Sequence, residues 1–232
     1  MAIPGLMYVG SRVRNPQRTS DELYNRFYND EHLPEVLSHG HSKLALRYKN
    51  ADINAPLPYI ALYPIDDASF IGSPTSKQLI EDTKRSKMLG CDNIFELIYF
   101  EMRPYEKIQT YEAYGHENDS GQQRGSTLLC VTIEPAEGQD EDFDAWYRKQ
   151  YLDMLGMCEG YRRCTRYRRK DGAFPRFIEL HEFDCLPDEL PTEQITQVRG
   201  TTWSQEILNE AKFYDHDVFT LIQTQGDTHL KL

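Results

Sequence analysis

The sequence predicts an α+β fold: two ferredoxin-like βαββαβ repeats forming one pseudo-twofold, eight-stranded α+β barrel with the helices outside. The first observation is an internal duplication, because residues 27–34 (FYNDEHLP) recur without a gap as residues 146–153 (WYRKQYLD). The second is a basic, tyrosine-bearing strand pattern after each copy, LRYK at 46–49 and TRYR at 165–168. The third is that each half alone would leave one sheet face exposed, which the sheet of the other half can cover.

Local patterns predict the elements of the first half. Thr19 begins the first helix, because Glu22 three residues later completes a capping box, and Pro34 limits the regular continuation of that helix. Thr75 and Gln78 form a second such pair, so a helix is expected from about residue 75 towards residue 89. Apolar and alternating segments predict strands at residues 6–13, 44–48, 59–63 and 94–100.

The second half repeats this order of elements. Asp140 opens an acidic helix start, and helical sequence runs over residues 192–211 with an interruption around Gly200. Strands are expected at residues 127–133, 161–169, 177–183 and 218–224. We therefore divide the chain into an N-terminal repeat (1–111), a connector (112–124) and a degenerate C-terminal repeat (125–232).

Composition limits the classes of partner and compartment. The formal net charge of −11 argues against nonspecific binding to nucleic acid or to an anionic membrane. Five cysteines without a CxxC pair are typical of buried thiols in a reducing compartment. No apolar run reaches the length of a membrane span, and the first residues lack the pattern of a signal peptide. We expect a cytoplasmic protein.

Residues 27–34 closely resemble the aromatic-Tyr-x-x-x-His-x-Pro signature of EthD-like proteins in the dimeric α+β barrel superfamily. The degenerate copy at 146–153 looks like the same element, so the chain is similar to a tandem, fungal-type member in which fusion replaces the homodimer. The resemblance implies a pocket between sheet and helices, with His32 in the histidine role and Tyr28 lining the pocket. Tyr151 and Asp153 depart from the signature, which puts an equivalent second active site in doubt.

Tyr28 and His32 are the candidate catalytic residues. Four residues apart on a helix, their side chains fall on one face. Imidazole exchanges protons near neutral pH, and a tyrosine hydroxyl can donate to a substrate oxygen. The alternative is structural, with His32 capping the helix end or bonding a backbone carbonyl. Candidate substrate-binding residues are Tyr8, Tyr63, Tyr99, Arg47 and His181, of which Arg47 also matches Arg166 and could belong to a shared structural ion pair.

The sequence predicts neither a metal nor a cofactor. His32, His39 and His41 are close in the chain but lack a carboxylate at a recognised ligand spacing. No P-loop, GxGxxG, GxSxG or HExxH motif occurs, so nucleotide-binding, serine-hydrolase and zincin functions lack support.

Three functions are compatible with the sequence. The first is a cofactor-independent acid–base enzyme, a decarboxylase- or cyclase-type lyase or an isomerase, acting on an aromatic or polyketide-like molecule of secondary metabolism. The second is a monooxygenase, either cofactor-independent or using haem. The third is a non-catalytic barrel that binds a small ligand or is associated with stress. In each case we expect a monomer with an internal pseudo-dimer, which leaves further homodimerisation open.

Overall fold

Eight antiparallel strands form one closed barrel in the computed structural model, which describes residues 2–232. Along the chain the strands are β1 Gly5–Val13, β2 Leu44–Asn50, β3 Tyr59–Ile65, β4 Ile98–Glu112, β5 Thr127–Glu134, β6 Tyr161–Arg169, β7 Phe177–Phe183 and β8 Phe213–Gly226. Their hydrogen-bonded order is β1-β3-β2-β8-β5-β7-β6-β4. The predicted α+β barrel is confirmed.

The chain separates into two compact units. Unit 1 contains the described residues up to Glu106 together with Leu221–Leu232, and unit 2 is Lys107–Thr220. Unit 1 is therefore made of two separate stretches of the chain, and the second stretch includes the last residues of β8. Unit 2 is continuous in sequence. The predicted domain limits at residues 111 and 125 stay a prediction.

In unit 1 the helices follow β1 and β3. The first group is α1 Asp21–Phe27, a π-helix at Tyr28–His32 (the first π-helix) and α2 Leu33–Ser38. A 3₁₀ turn at Ala68–Phe70 precedes α3 Pro74–Asp82, and a second one at Ile94–Glu96 precedes β4.

Unit 2 has the same order of elements. It contains α4 Asp140–Trp146, a π-helix at Tyr147–Tyr151 (the second π-helix) and α5 Leu152–Leu155 between β5 and β6. A 3₁₀ turn at Pro187–Glu189, α6 Thr192–Arg199 and α7 Thr202–Glu210 lie between β7 and β8, so the predicted interruption around Gly200 is confirmed.

Several predicted element ends were wrong. The first helix is capped by Ser20 instead of Thr19, because the Ser20 hydroxyl accepts the Leu23 N–H at 3.1 Å. Ser73 caps α3 through the Ser76 N–H, and α3 ends at Asp82, well before residue 89. The strand expected from residue 94 begins at Ile98, since residues 94–96 form a 3₁₀ turn. Pro34, which was expected to limit the regular continuation of the first helix, lies in the first turn of α2, where its missing N–H is tolerated.

Each unit has a core of apolar and aromatic side chains between one sheet face and its helices. In unit 1 this core includes Tyr24, Phe27 and Tyr28 from the helices and Val9 and Ala61 from the strands. Among residues 2–232, no helix combines the length and apolarity that crossing a bilayer requires.

Candidate active site

The first π-helix brings Tyr28 and His32 together. The Leu33 N–H donates to the Tyr28 carbonyl, five residues back, which widens the helical turn. The two rings lie edge to face with centroids 5.0 Å apart. The second π-helix occupies the same place in unit 2, where Asp153 stands in the position of Pro34. A π-helix at this place therefore does not require a proline.

His32 is buried among aromatic rings and retains a free polar atom. Its ring centroid lies 5.4 Å from that of Phe27 and 6.3 Å from that of Phe100, and the residue is 8% exposed. No described group forms a hydrogen bond with its Nδ1. Burial and then the positive charge of Arg47 lower the His32 pKa to about 4, against an opposing effect of Glu31. The imidazole is therefore neutral at neutral pH and can accept a proton.

The His32 ring faces a cavity in unit 1 between the sheet and its helices. About 90 Å³ of this cavity is open to the centre of a water molecule, which leaves room for several waters or for part of an organic ligand. Its walls are predominantly apolar. The lining consists of Met7, Val9, Tyr28, His32, Val36, His41, Ser42, Tyr63, Ile65, Phe70, Ser76, Leu79, Ile80, Thr83, Ile94, Phe95, Phe100 and Met102.

Two tyrosine hydroxyls accompany His32 in this lining. The Tyr28 and Tyr63 hydroxyl oxygens are buried, and neither meets hydrogen-bond geometry with a described group. Burial raises the pKa of Tyr28 and the pKa of Tyr63 well above the usual 10. Both hydroxyls therefore keep their protons, and each can donate to an oxygen atom of a ligand. Of the seven predicted site residues, the structure brings these three to one cavity: Tyr28, His32 and Tyr63.

Arg47 lies behind the cavity wall and is absent from the lining. Its guanidinium carbon is 4.3 Å from the centroid of the Tyr28 ring. It donates to the side-chain oxygens of Asn29 at 2.5 Å and Asn25 at 2.9 Å. Arg47 is thus held by amide oxygens and supports the tyrosine. The prediction that Arg47 and Arg166 both belong to a shared type of structural ion pair is therefore wrong for Arg47.

The matching residue in unit 2 does form an ion pair. Arg166 donates to Asp144 at 2.9 Å, and its guanidinium carbon lies 4.0 Å from the centroid of the Tyr147 ring. What the two arginines share is the cation–π contact with a π-helix tyrosine.

Tyr8 and Tyr99 do not line the cavity, contrary to the prediction. Successive side chains of a strand point to opposite faces, and Met7 and Val9 face the cavity, so Tyr8 faces away. The Tyr8 ring instead packs against Tyr105 at 6.4 Å. Tyr99 alternates with the lining residue Phe100 in the same way. Its ring lies beneath two guanidinium groups, those of Arg12 and Arg14.

His181 belongs to unit 2 and lies outside this cavity. It is 1% exposed, and its Nδ1 is 3.0 Å from the Tyr161 hydroxyl oxygen. Burial and then the charge of Arg199 lower the His181 pKa to about 3. The prediction placed it in an equivalent position to Tyr63, and strand register supports that equivalence: Tyr63 is paired with Met7, and His181 with Leu129.

Most of the apolar lining was missed by the sequence prediction. Met7 and Val9 are in register with Tyr63 and Ala61 on β3, and Val9 is in register with Met102 on β4. These lining residues alternate along each strand, so every second residue faces the cavity. This alternation could have identified them once the direction of one side chain was known.

His41, considered above only as a metal ligand, stacks on Phe70 with centroids 4.1 Å apart and lines the cavity. Within residues 2–232, no cluster of three or more His, Cys, Asp or Glu side chains is arranged to hold a metal ion. At the cavity, His32 can accept a proton, and the Tyr28 and Tyr63 hydroxyls can donate hydrogen bonds to a ligand.

Comparison with known proteins supports the fold. No family model matches the chain. A curated relative, Core atranone cluster protein 1 of Stachybotrys chlorohalonatus, is 27% identical over 213 residues, which cover 83% of this chain and 87% of the relative.

Three solved structures share the architecture at low sequence identity. An anthrone oxidase-like protein has a TM-score of 0.61 at 11% identity, covering 97% of this chain and 94% of its own. A Fusobacterium nucleatum protein provisionally named a monooxygenase has a TM-score of 0.60 at 9% identity, covering 99% and 97%. A variant of the chlorite dismutase of Candidatus Nitrospira defluvii has a TM-score of 0.63 at 7% identity, covering 95% and 91%. These neighbours have the dimeric α+β barrel fold; the finer EthD-like resemblance stays a prediction.

Proposed function

We propose that this chain is a cofactor-independent acid–base enzyme that acts on an apolar, aromatic or polyketide-like small molecule in the cavity of unit 1. The observation that carries the proposal is His32, which lines a cavity with predominantly apolar walls and whose Nδ1 atom is buried without a hydrogen-bond partner among the described residues. A buried polar atom without a partner costs folding free energy, so its retention favours a ligand-directed role.

The chemistry follows from the charge states of the three polar side chains. His32 is neutral at pH 7 and removes a proton from a carbon beside a carbonyl group. The hydroxyls of Tyr28 and Tyr63 donate hydrogen bonds to the oxygen on which negative charge develops. Decarboxylation, aldol-type cyclisation and isomerisation all use this step, and a decarboxylase or cyclase is our specific assignment.

The lining also suggests the substrate class. Rings and thioethers, such as those of Phe70, Phe95, Phe100, Met7 and Met102, favour a flat apolar molecule with few polar groups. The curated relative's name refers to an atranone cluster, which agrees with a role in small-molecule metabolism.

Proton abstraction from 2-tetralone, an aromatic ketone, tests the mechanism. Exchange of its α-protons in D₂O is followed by NMR with the wild type, His32→Gln and His39→Gln. His39 is an exposed histidine of the neighbouring helix end and serves as the matched control. We expect His32→Gln to slow enzyme-dependent exchange by about a hundredfold or more. His39→Gln should leave exchange unchanged.

Circular dichroism verifies that each variant is folded. Equal exchange rates for His32→Gln and wild type would contradict the mechanism. Binding of the ketone to the wild type without any exchange would instead favour a ligand-binding protein.

A second candidate is an oxygen-using monooxygenase, in which oxygen reacts with the substrate carbanion. The names of two structural neighbours, an anthrone oxidase-like protein and a provisional monooxygenase, favour it. Oxygen consumption during turnover separates this reaction from a lyase. A Soret band in the purified protein would point to haem instead.

A further inference from the structure

Strand register identifies the region of unit 2 that corresponds to the unit 1 cavity. Val9 is in register with Ala61, and its counterpart Val131 is in register with Glu179. A carboxyl group therefore stands in unit 2 where unit 1 has a methyl group. His181 takes the place of Tyr63 in the same way, so this face of the second sheet carries a carboxyl group and an imidazole where the first has a methyl group and a phenol.

Besides Arg166, four side chains of this region carry buried polar atoms without a hydrogen-bond partner among the described residues. They are both carboxyl oxygens of Glu179, His181 Nε2, Arg199 Nε and the Tyr214 hydroxyl. Glu179 is fully buried and His181 is 1% exposed. The Arg166 Nε lies 3.8 Å from a Glu179 oxygen, which is beyond hydrogen-bond distance. Buried polar atoms of native proteins are rarely left unpaired, so this cluster offers donors and acceptors that water or a ligand can pair with.

The four side chains converge on one face of the sheet. Val131 is in register with Glu179 on one side and with His216 on the other, and Tyr214 lies two residues before His216. β5, which carries Val131, lies between β7 and β8, so these two strands are two strand spacings apart, roughly 10 Å. Long side chains on β7 and β8 can reach each other above the smaller Val131. Arg199 comes from the end of α6, with its guanidinium carbon 5.4 Å from the centroid of the Tyr214 ring.

The charge states make this cluster a donor site. Burial raises the Glu179 pKa to about 8, so the carboxyl group is protonated at pH 7 and can donate. His181, with its pKa lowered to about 3, is neutral. Arg166 lies within ion-pair distance of both Asp144 and Glu179, whereas Arg199 has no carboxylate within that distance in the part of the chain that the structure describes. The uncompensated charge is thus positive.

We propose that unit 2 contains a second ligand site, separate from the unit 1 cavity, which binds the carboxylate of a small organic acid through Arg199, Tyr214 and Glu179. Arg199 supplies a charge-assisted hydrogen bond, and the Tyr214 hydroxyl and the protonated Glu179 donate to the same anion. His216 is exposed and Tyr214 half-buried, so the β8 side of the cluster lies nearest to solvent.

Benzoate is the probe, and tryptophan fluorescence is the reporter. Both tryptophans of the chain, Trp146 and Trp203, belong to unit 2. The centroid of the Trp146 ring is 4.2 Å from that of the Tyr151 ring on the second π-helix. We expect benzoate to change this fluorescence saturably, and benzamide, its neutral analogue, to bind at least about tenfold more weakly.

Variants assign the site. Arg199→Gln should weaken benzoate binding by at least about tenfold, Arg199→Lys should retain part of the affinity, and Tyr214→Phe should lose part of it. His32→Gln should bind like the wild type, because His32 belongs to the other unit. A fluorescence and calorimetric titration without benzoate binding would overturn the proposal. Equal affinity for benzoate and benzamide, or unchanged affinity in folded Arg199→Gln, would also overturn it.

Discussion

At the residue scale, the buried histidines couple stability to pH. The pKa of His32 is about 4 in the folded chain, whereas an unfolded histidine titrates near 6.5. Between these values the unfolded state binds the proton and the folded state does not. The contribution of the neutral His32 to the free energy of unfolding is therefore complete above pH 6.5. It is lost as the pH falls through 6.5 towards 4. His181 acts in the same direction, with its pKa at about 3.

Urea unfolding at pH 7.5 and pH 5.0 measures the His32 contribution. Between pH 7.5 and pH 5.0 we expect the free energy of unfolding of the wild type to fall by on the order of 2 kcal/mol more than that of His32→Gln, because the glutamine does not titrate. His39→Gln, at an exposed position, should behave like the wild type. If His32→Gln and wild type lose the same free energy, the imidazole is not buried as described.

At the element scale, Glu31 of the first π-helix forms hydrogen bonds with the segment that follows α3, residues 83–94. Its carboxylate accepts hydrogen bonds from the Ser86 hydroxyl at 2.7 Å, the Lys87 N–H at 2.7 Å and the Met88 N–H at 3.1 Å. Burial acts to raise the Glu31 pKa, but the bonds from Ser86 and the two amides outweigh it and lower the pKa. The ends of this segment line the cavity through Thr83 and Ile94.

Glu31→Gln should loosen this segment. An amide side chain cannot accept all three bonds with the strength of a carboxylate, so local opening becomes easier by about 1–2 kcal/mol. Trypsin reports the opening because the segment contains Lys84, Arg85 and Lys87. We expect cleavage there to accelerate about fivefold or more. Glu35→Gln, one helical turn further on, is the control; equal cleavage in the two variants would refute the role of Glu31.

The types of the elements could be predicted from sequence, but some ends and the π-helices could not. Periodicity and capping residues act locally, which is why the strands Tyr161–Arg169 and Phe177–Phe183 match their predicted limits. Thr19 and Ser20 are neighbouring hydroxyl residues that can both cap a helix, so the sequence alone does not choose between them. A π-helix differs from an α-helix by one residue in its hydrogen bonding, and its composition carries no clear mark.

At the scale of the whole molecule, unit 1 depends on Gly226 near the end of the chain. Gly226 has a φ of +93°, and a Cβ atom there would lie 2.2 Å from the Lys43 carbonyl oxygen. The next residue, Asp227, donates its N–H to the same oxygen at 2.7 Å. This close approach of two backbones joins residues 221–232 to the strand region that begins β2.

Gly226→Ala should therefore destabilise unit 1 by about 2–4 kcal/mol, from positive φ and steric overlap together. Gly138→Ala is the matched control, since Gly138 also has a positive φ (+77°) but open space around the Cβ position. It should cost only about 1 kcal/mol. Thermal unfolding compares the two, and equal melting temperatures would contradict the steric argument.

The barrel was predictable because the duplicated motif and the order of elements constrain topology globally. The site was only partly predictable. Tyr28 and His32 follow from helix periodicity, but the directions of Tyr8 and Tyr99 depend on strand register, which no local pattern specifies. The buried polar cluster around Glu179 was also missed, since nothing in the local sequence distinguishes a buried glutamate on a strand from an exposed one.

The discontinuity of unit 1 has a consequence for synthesis on the ribosome. All residues of Lys107–Thr220 emerge as one uninterrupted stretch, whereas Leu221–Leu232 must leave the exit tunnel before the cavity-bearing unit is complete. A chain that ends near residue 220 would therefore keep every residue that lines the His32 cavity, from Met7 to Met102, but would lack the stretch of unit 1 whose Asp227 N–H binds the Lys43 carbonyl oxygen.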